Sequence, residues 1–263
     1  MNARPSQTSH AWPLPETDEG VPEHRHQTHL ASGPVKTCGT SCKWRSMMPH
    51  ATPVASRSVM TTDRLFLLLL IGATVWIART WMMDYRAALA GKPHERGLPG
   101  ATPASARAVA IASLGALVIL AAETGGEYVL GLSTEQSKVT ALLGVYSILG
   151  APVIEEVLFR GYLVIEHRGR PALWAGVVGV SLLFALLHPF LWEWNGKSLT
   201  VHVGAKAWFS TTAILVGSLW FYTVRFFRPN TQRSLLPCIV AHATKNLGVL
   251  AIKYAQGFVG GWW

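Results

Sequence analysis

Apolar residues gather into runs long enough to cross a lipid bilayer, separated by short turns rich in Arg, Gly and Pro. Length and scarcity of charge place six runs at about 65–83, 108–131, 139–165, 172–191, 207–225 and 235–254. Inside hydrocarbon every backbone polar group needs a partner within the protein, so runs of this length predict helices. The pattern predicts an all-α, polytopic transmembrane helix bundle of about six spans. Trp76, Trp81, Trp174, Trp192, Trp194, Trp208, Trp262 and Trp263 fall at or near the ends of runs, where an interfacial aromatic belt is expected. Ahead of the first run, residues 1–62 hold Pro, Ser, Thr, His and Gln without apolar periodicity and predict a disordered tail. Met60 stands just before the first run and offers an alternative start. Residues 63–263 are then the transmembrane domain.

Composition strengthens this picture. Half of the 263 residues are hydrophobic and only 14% are charged, too few for a soluble enzyme of this size. Mean hydropathy is a modest +0.28 because the polar tail dilutes it. The net charge of +9 comes largely from basic residues between the apolar runs and in the tail, where they meet anionic lipid. No basic stretch is interleaved with stacking aromatics, so nucleic acid is not expected as a partner. Arg79, Arg86, Lys92, Arg96 and Arg107 flank the first inter-run loop; Arg160, Arg168 and Arg170 flank the third; Arg225, Arg228 and Arg233 flank the fifth. The positive-inside rule puts these three loops in the cytoplasm, although the tail, which would then lie outside, is basic too. Cys38 and Cys42 read as incidental thiols of the tail, and Cys238 as a packed thiol.

The chemistry lies in polar residues set within apolar runs. Glu155 and Glu156 are adjacent in the third run, with Arg160 one turn beyond; His188 follows Phe184-Ala-Leu-Leu; His242 and Asn246 follow Ile239-Val240-Ala241. An ionised group at mid-bilayer costs about 2.5–3.5 kcal/mol, so three are not kept there without a use. Glu156 and Arg160, four residues apart, can pair on one helix face while Glu155 points about 100° away, giving the two glutamates separate environments. Glu155 precedes the Arg168-Gly169-Arg170-Pro171 turn, and His188 follows it, by about 21 and 27 Å of helix, so an antiparallel pair sets them at nearly one depth. His242 starts about 10 Å into its helix, and tilt of about 20° would have to absorb the remaining mismatch. The plainer readings stay open at this point. His188 could be an interfacial histidine before Pro189, and His242 with Asn246 could be interhelical hydrogen-bonding glue.

Glu155-Glu156-Val-Leu-Phe-Arg160, Phe184-Ala-Leu-Leu-His188 and His242-Ala-Thr-Lys-Asn246 resemble, in order, the EExxxR, FxxxH and HxxxN motifs of the CPBP family of CAAX proteases and bacteriocin-processing enzymes. The resemblance covers about residues 135–250 and implies up to eight helices, as in some family members. It implies a glutamic intramembrane endopeptidase without a cofactor, acting on a peptide or lipidated protein at the membrane, in a multi-pass protein of the cell membrane. It further implies that Glu155 and His188 activate a water, that His242 and Asn246 donate to the oxyanion, and that Glu156 with Arg160 support them. Two other readings remain: a zinc protease using His188, His242 and a glutamate, and a non-proteolytic scaffold, immunity factor or ion relay. Nothing in the residues chooses between a prenylated C-terminus and a bacteriocin leader or sorting signal as substrate.

Overall fold

The structure, a computed structural model, describes residues 64–262 apart from 167, 195 and 196. The predicted tail, with Met60, Cys38 and Cys42, lies outside the described residues, as does Trp263.

Among the described residues seven α-helices follow one another: α1 (Arg64–Leu89), α2 (Ala106–Val129), α3 (Ala141–Leu149), α4 (Ala151–Glu155), α5 (Gly169–Leu187), α6 (Ala205–Phe226) and α7 (Leu236–Ala255). A π-helical segment, Glu156–Tyr162, continues α4. Among the described residues five spans are long and apolar enough to cross a membrane: Leu65–Leu89, Ala106–Val129, Ala141–Tyr162, Gly169–Leu187 and Ala205–Phe226. The protein is thus an integral membrane protein, as the runs predict. The sixth run became α7, whose 20 residues also reach about 30 Å. Its apolar character is diluted by His242, Thr244, Lys245, Asn246 and Lys253. Because α7 packs among α2, α3, α4 and α6, these residues meet protein rather than lipid. One element was not expected from the runs: a two-stranded antiparallel hairpin, β1 (Trp192–Trp194) with β2 (Leu199–Val201), between α5 and α6.

Local chemistry sets the boundaries. Ser105 caps α2 by accepting from the Ala108 amide at 3.1 Å. Gly150 and Pro152 break the third run into α3 and α4, since proline has no amide for the helical ladder. Beyond the break, the π segment ends with a bond from the Leu163 amide to the Leu158 carbonyl at 3.0 Å. Such wide turns inside helices concentrate at functional sites.

Small residues let the helices approach closely, the usual device where lipid supplies no hydrophobic drive between helices. α2 turns Ala108, Ala112, Ala116 and Leu120 inward at four-residue intervals. Against it, a Cβ on Gly248 of α7 would lie 2.3 Å from Leu120 Cδ2, and one on Gly115 would lie 2.1 Å from the Trp220 ring. Trp81 corrects the aromatic-belt expectation. It is 3% exposed, stacks on Tyr85 at 5.2 Å and donates its indole N–H to the Pro99 carbonyl at 3.3 Å, so it belongs to the core. Trp76, Trp174, Trp208 and Trp262 are exposed, as expected of a belt.

The loops gather at two ends. At one, Leu235 N–H donates to Gly100 O at 2.9 Å, Ser234 Oγ donates to Thr102 O at 2.5 Å, and Glu166 pairs with Arg225 at 3.5 Å and Arg233 at 2.5 Å. The first, third and fifth loops therefore share a side. At the other end Val139 bridges to Val259, and Lys253 Nζ donates to the Ser137 carbonyl at 2.8 Å.

Candidate active site

Three elements bring the expected residues together. The α4–π junction carries Glu155, Glu156 and Arg160; the end of α5 carries His188; the first half of α7 carries His242 and Asn246. The two glutamates have separate environments, as their angular offset predicts. Glu156 is fully buried, and its Oε1 faces Arg160 Nη1 at 3.3 Å and His242 Nδ1 at 2.8 Å. Glu155 keeps a side chain 26% exposed, and its Oε2 lies 3.8 Å from His242 Nε2. The His242 ring therefore stands between two carboxylates, one sealed and one open. Since a carboxylate only accepts, the short contact to Glu156 sets the ring proton on Nδ1 and turns Nε2 toward Glu155.

His188 arrives from α5 through aromatic packing. Phe184 meets Phe159 of the π segment edge to face at 4.8 Å, and His188 follows one turn later. Its Nδ1 donates to the Phe184 carbonyl at 2.8 Å, so in the neutral ring Nε2 is left as an acceptor. Glu155 and His242 both lie close enough to act on it electrostatically. The depth mismatch expected for His242 does not arise, because the ring touches both glutamates. Asn246, one turn further along α7, donates Nδ2 to the Ser147 carbonyl of α3 at 2.7 Å, which leaves the second hydrogen of its amide for another acceptor.

Residues of α6 complete the site and carry no motif by which the sequence alone could have found them. Ser218 Oγ accepts from Arg160 Nη2 at 2.7 Å. The Arg160 guanidinium lies over the rings of Phe184 (4.4 Å), Tyr222 (5.1 Å) and Phe221 (5.4 Å), a cation–π cage that lets a charge sit at 0% exposure. Tyr222 donates its hydroxyl to the Phe159 carbonyl at 2.6 Å, with the Leu163 carbonyl at 3.4 Å, and so braces the π segment. Phe221 stacks on His242 at 4.9 Å. The only advance signal was small and aromatic residues of α6 spaced three and four apart at 218, 221 and 222. Lys245, between His242 and Asn246 in sequence, forms an ion pair with Glu123 of α2 at 2.8 Å.

Among the described residues, no group of three or more His, Cys, Asp or Glu side chains is gathered to hold a metal ion. What stands there is an acid-base cluster of one partly open carboxylate, two imidazoles, an amide and a sealed carboxylate–guanidinium pair.

Comparison with known protein families shows a match to the family model described as Type II CAAX prenyl endopeptidase Rce1-like over residues 137–248, the stretch that carries every one of these groups except those of the first two helices. No curated protein and no solved structure matches the chain significantly.

Proposed function

We propose that this chain, whose residues 137–248 match the type II CAAX prenyl endopeptidase Rce1-like family model, is a member of the CAAX-protease (CPBP) family and an intramembrane endopeptidase of the glutamic type. The carrying observation is the asymmetry of the glutamate pair around His242: Glu156 buried and neutralised by Arg160, Glu155 open and 3.8 Å from Nε2. Glu155 and the free Nε2 of His188 are both acceptors, so a water between them donates both hydrogens and aims a lone pair at the scissile carbonyl. Glu155 takes one proton as general base while the hydroxide oxygen bonds to the carbonyl carbon. The oxyanion that forms accepts from the remaining Asn246 N–H and from His242 Nε2–H, a proton the ring takes up from solvent water before the reaction begins while its Nδ1–H stays on Glu156. As the C–N bond breaks, the proton held by Glu155 passes to the leaving nitrogen. Glu156, Arg160 and the α6 cage hold His242 in place throughout.

The substrate in this reading is a peptide already at the membrane, anchored by a lipid or an apolar segment, and the family's description favours a prenylated C-terminus. The site of action is the cell membrane, where the chain is a multi-pass protein. The test compares membrane peptides by mass spectrometry in cells holding the active protein or Glu155→Gln. A general base contributes about 10²–10⁴ in rate, so cleaved products should vanish from the variant while its thermal unfolding matches the parent. Full cleavage by Glu155→Gln would remove Glu155 as the base.

A further inference from the structure

Hydrolysis at Glu155 consumes a water for each bond cut, in a bundle whose outer surface is apolar. Resting on that hydrolytic reading, we propose that water enters along a polar seam between α2 and α7, with the Lys245–Glu123 ion pair as its inner constriction. The seam opens at the end of the molecule that holds the α2–α3 loop and the residues after α7.

On α7, His242, Lys245, Val249 and Lys253, with the C-cap residue Gln256, recur at three- and four-residue intervals and share one face. On α2, Leu120, Glu123, Thr124 and Glu127 do the same. Between the two faces lies a cavity of about 40 Å³, lined by Glu123, Glu127, Gln136, Lys253 and Gln256 among others. A water needs about 10–15 Å³ of such space, so the cavity holds more than one. Its walls are ordered by Gln136 Nε2 donating to Glu127 at 2.5 Å, by a Lys206–Glu127 ion pair and by Lys253 donating to Ser137 O at 2.8 Å.

The inner end is closed by Lys245 Nζ on Glu123 Oε2 at 2.8 Å, with both side chains largely buried. Lys245 stands one turn from His242, about 4.5 Å of helix rise, whereas the mouth at Gln256 is about 21 Å away along α7. Gly217 leaves room beside the lysine, since a Cβ there would lie 4.0 Å from Lys245 Cε, and the next residue is the Ser218 that holds Arg160. Helix adhesion alone does not call for these charges, because a buried ion pair is often matched or bettered by apolar residues of similar volume. The outward side of α2, with Leu114, Leu117 and Val118 exposed, is the lipid face, charged only by Arg107 in the first turn, at the opposite end of the helix from the mouth of the seam.

The test has a labelling arm that needs no protease activity and a kinetic arm. In protein with Cys38 and Cys42 changed to serine, Cys238 being fully buried, Gln256→Cys, Lys253→Cys and Thr124→Cys should react with a membrane-impermeant charged thiol reagent at least about tenfold faster than Val118→Cys, because only thiols in water ionise and react. Thr124→Cys reacting no faster than Val118→Cys would show a dry seam and overturn the route, while leaving Glu155-dependent cleavage intact. In the kinetic arm, Glu123→Met with Lys245→Met makes the constriction apolar at similar volume. It should lower kcat about tenfold or more with KM little changed, the mark of a lost transition-state or supply step rather than lost binding. Parental kcat in this folded double variant would also overturn the route.

Discussion

Replacing Arg160 by methionine would leave Glu156 buried without its counter-charge. Both side chains are at 0% exposure, and Glu156 presents one oxygen, Oε1, to Arg160 and His242 while Oε2 has no hydrogen-bond partner. Methionine is close to arginine in length and makes favourable sulfur–aromatic contacts, so it should still fill the cage of Phe184, Phe221 and Tyr222, and the change isolates the charge. Removing one partner of a buried pair costs about 3–5 kcal/mol. At about 2–4 °C per kcal/mol for a domain of this size, the unfolding midpoint should fall by roughly 6–20 °C. Adding Glu156→Gln removes the orphaned charge and keeps an acceptor for His242 Nδ1. The double variant should therefore recover most of the loss, a coupling of about 2–3 kcal/mol for residues in direct contact. The measurement is thermal unfolding in detergent micelles followed by intrinsic tryptophan fluorescence, for which the chain supplies 11 tryptophans. A single variant within a degree of the parent, or a double variant no better than the single, would refute the view that this pair neutralises itself in the core.

Other outcomes follow from the same geometry. Tyr222→Phe removes the hydroxyl that donates to Phe159 O and leaves a buried carbonyl short of a donor, at about 1–3 kcal/mol of stability; unchanged denaturant unfolding would show that the π segment does not depend on it. Asn246→Ala should lower kcat by about 10²–10³ as one oxyanion donor is lost, with KM steady. A rise in KM at constant kcat would reassign Asn246 to substrate binding. Proteolysis measured after exhaustive dialysis against a strong chelator should equal that before it, and activity restored only by added zinc would overturn the glutamate reading. Trp81→Ala should cost about 3–5 kcal/mol as a core residue, whereas Trp76→Ala, on an exposed position of α1, should leave the unfolding midpoint near the parent's.

The amino-acid sequence alone determined the membrane-helix architecture, because hydrocarbon tolerates little besides apolar helices and span length follows from bilayer thickness. It also determined which polar residues are out of place, since Glu155, Glu156, Arg160, His188, His242 and Asn246 stand against an apolar background that makes each one conspicuous. The i,i+4 pairing of Glu156 with Arg160 was legible for the same local reason. Tertiary structure decided everything that depends on which helices touch. That His242 sits between the two glutamates, rather than beside His188 alone, comes from packing α7 against α4. That Ser218 and Tyr222 hold the site could not be read from α6, whose small and aromatic residues look like any lipid-compatible helix until Arg160 is placed against them. Trp81 at a run end reads as interfacial because a one-dimensional pattern gives depth but not direction, and it was the fold of the Leu98–Ala101 loop that covered it. Local periodicity follows from the chain's own geometry, whereas the partner of a buried charge is set by residues far along the chain, 86 positions away for Glu156 and His242.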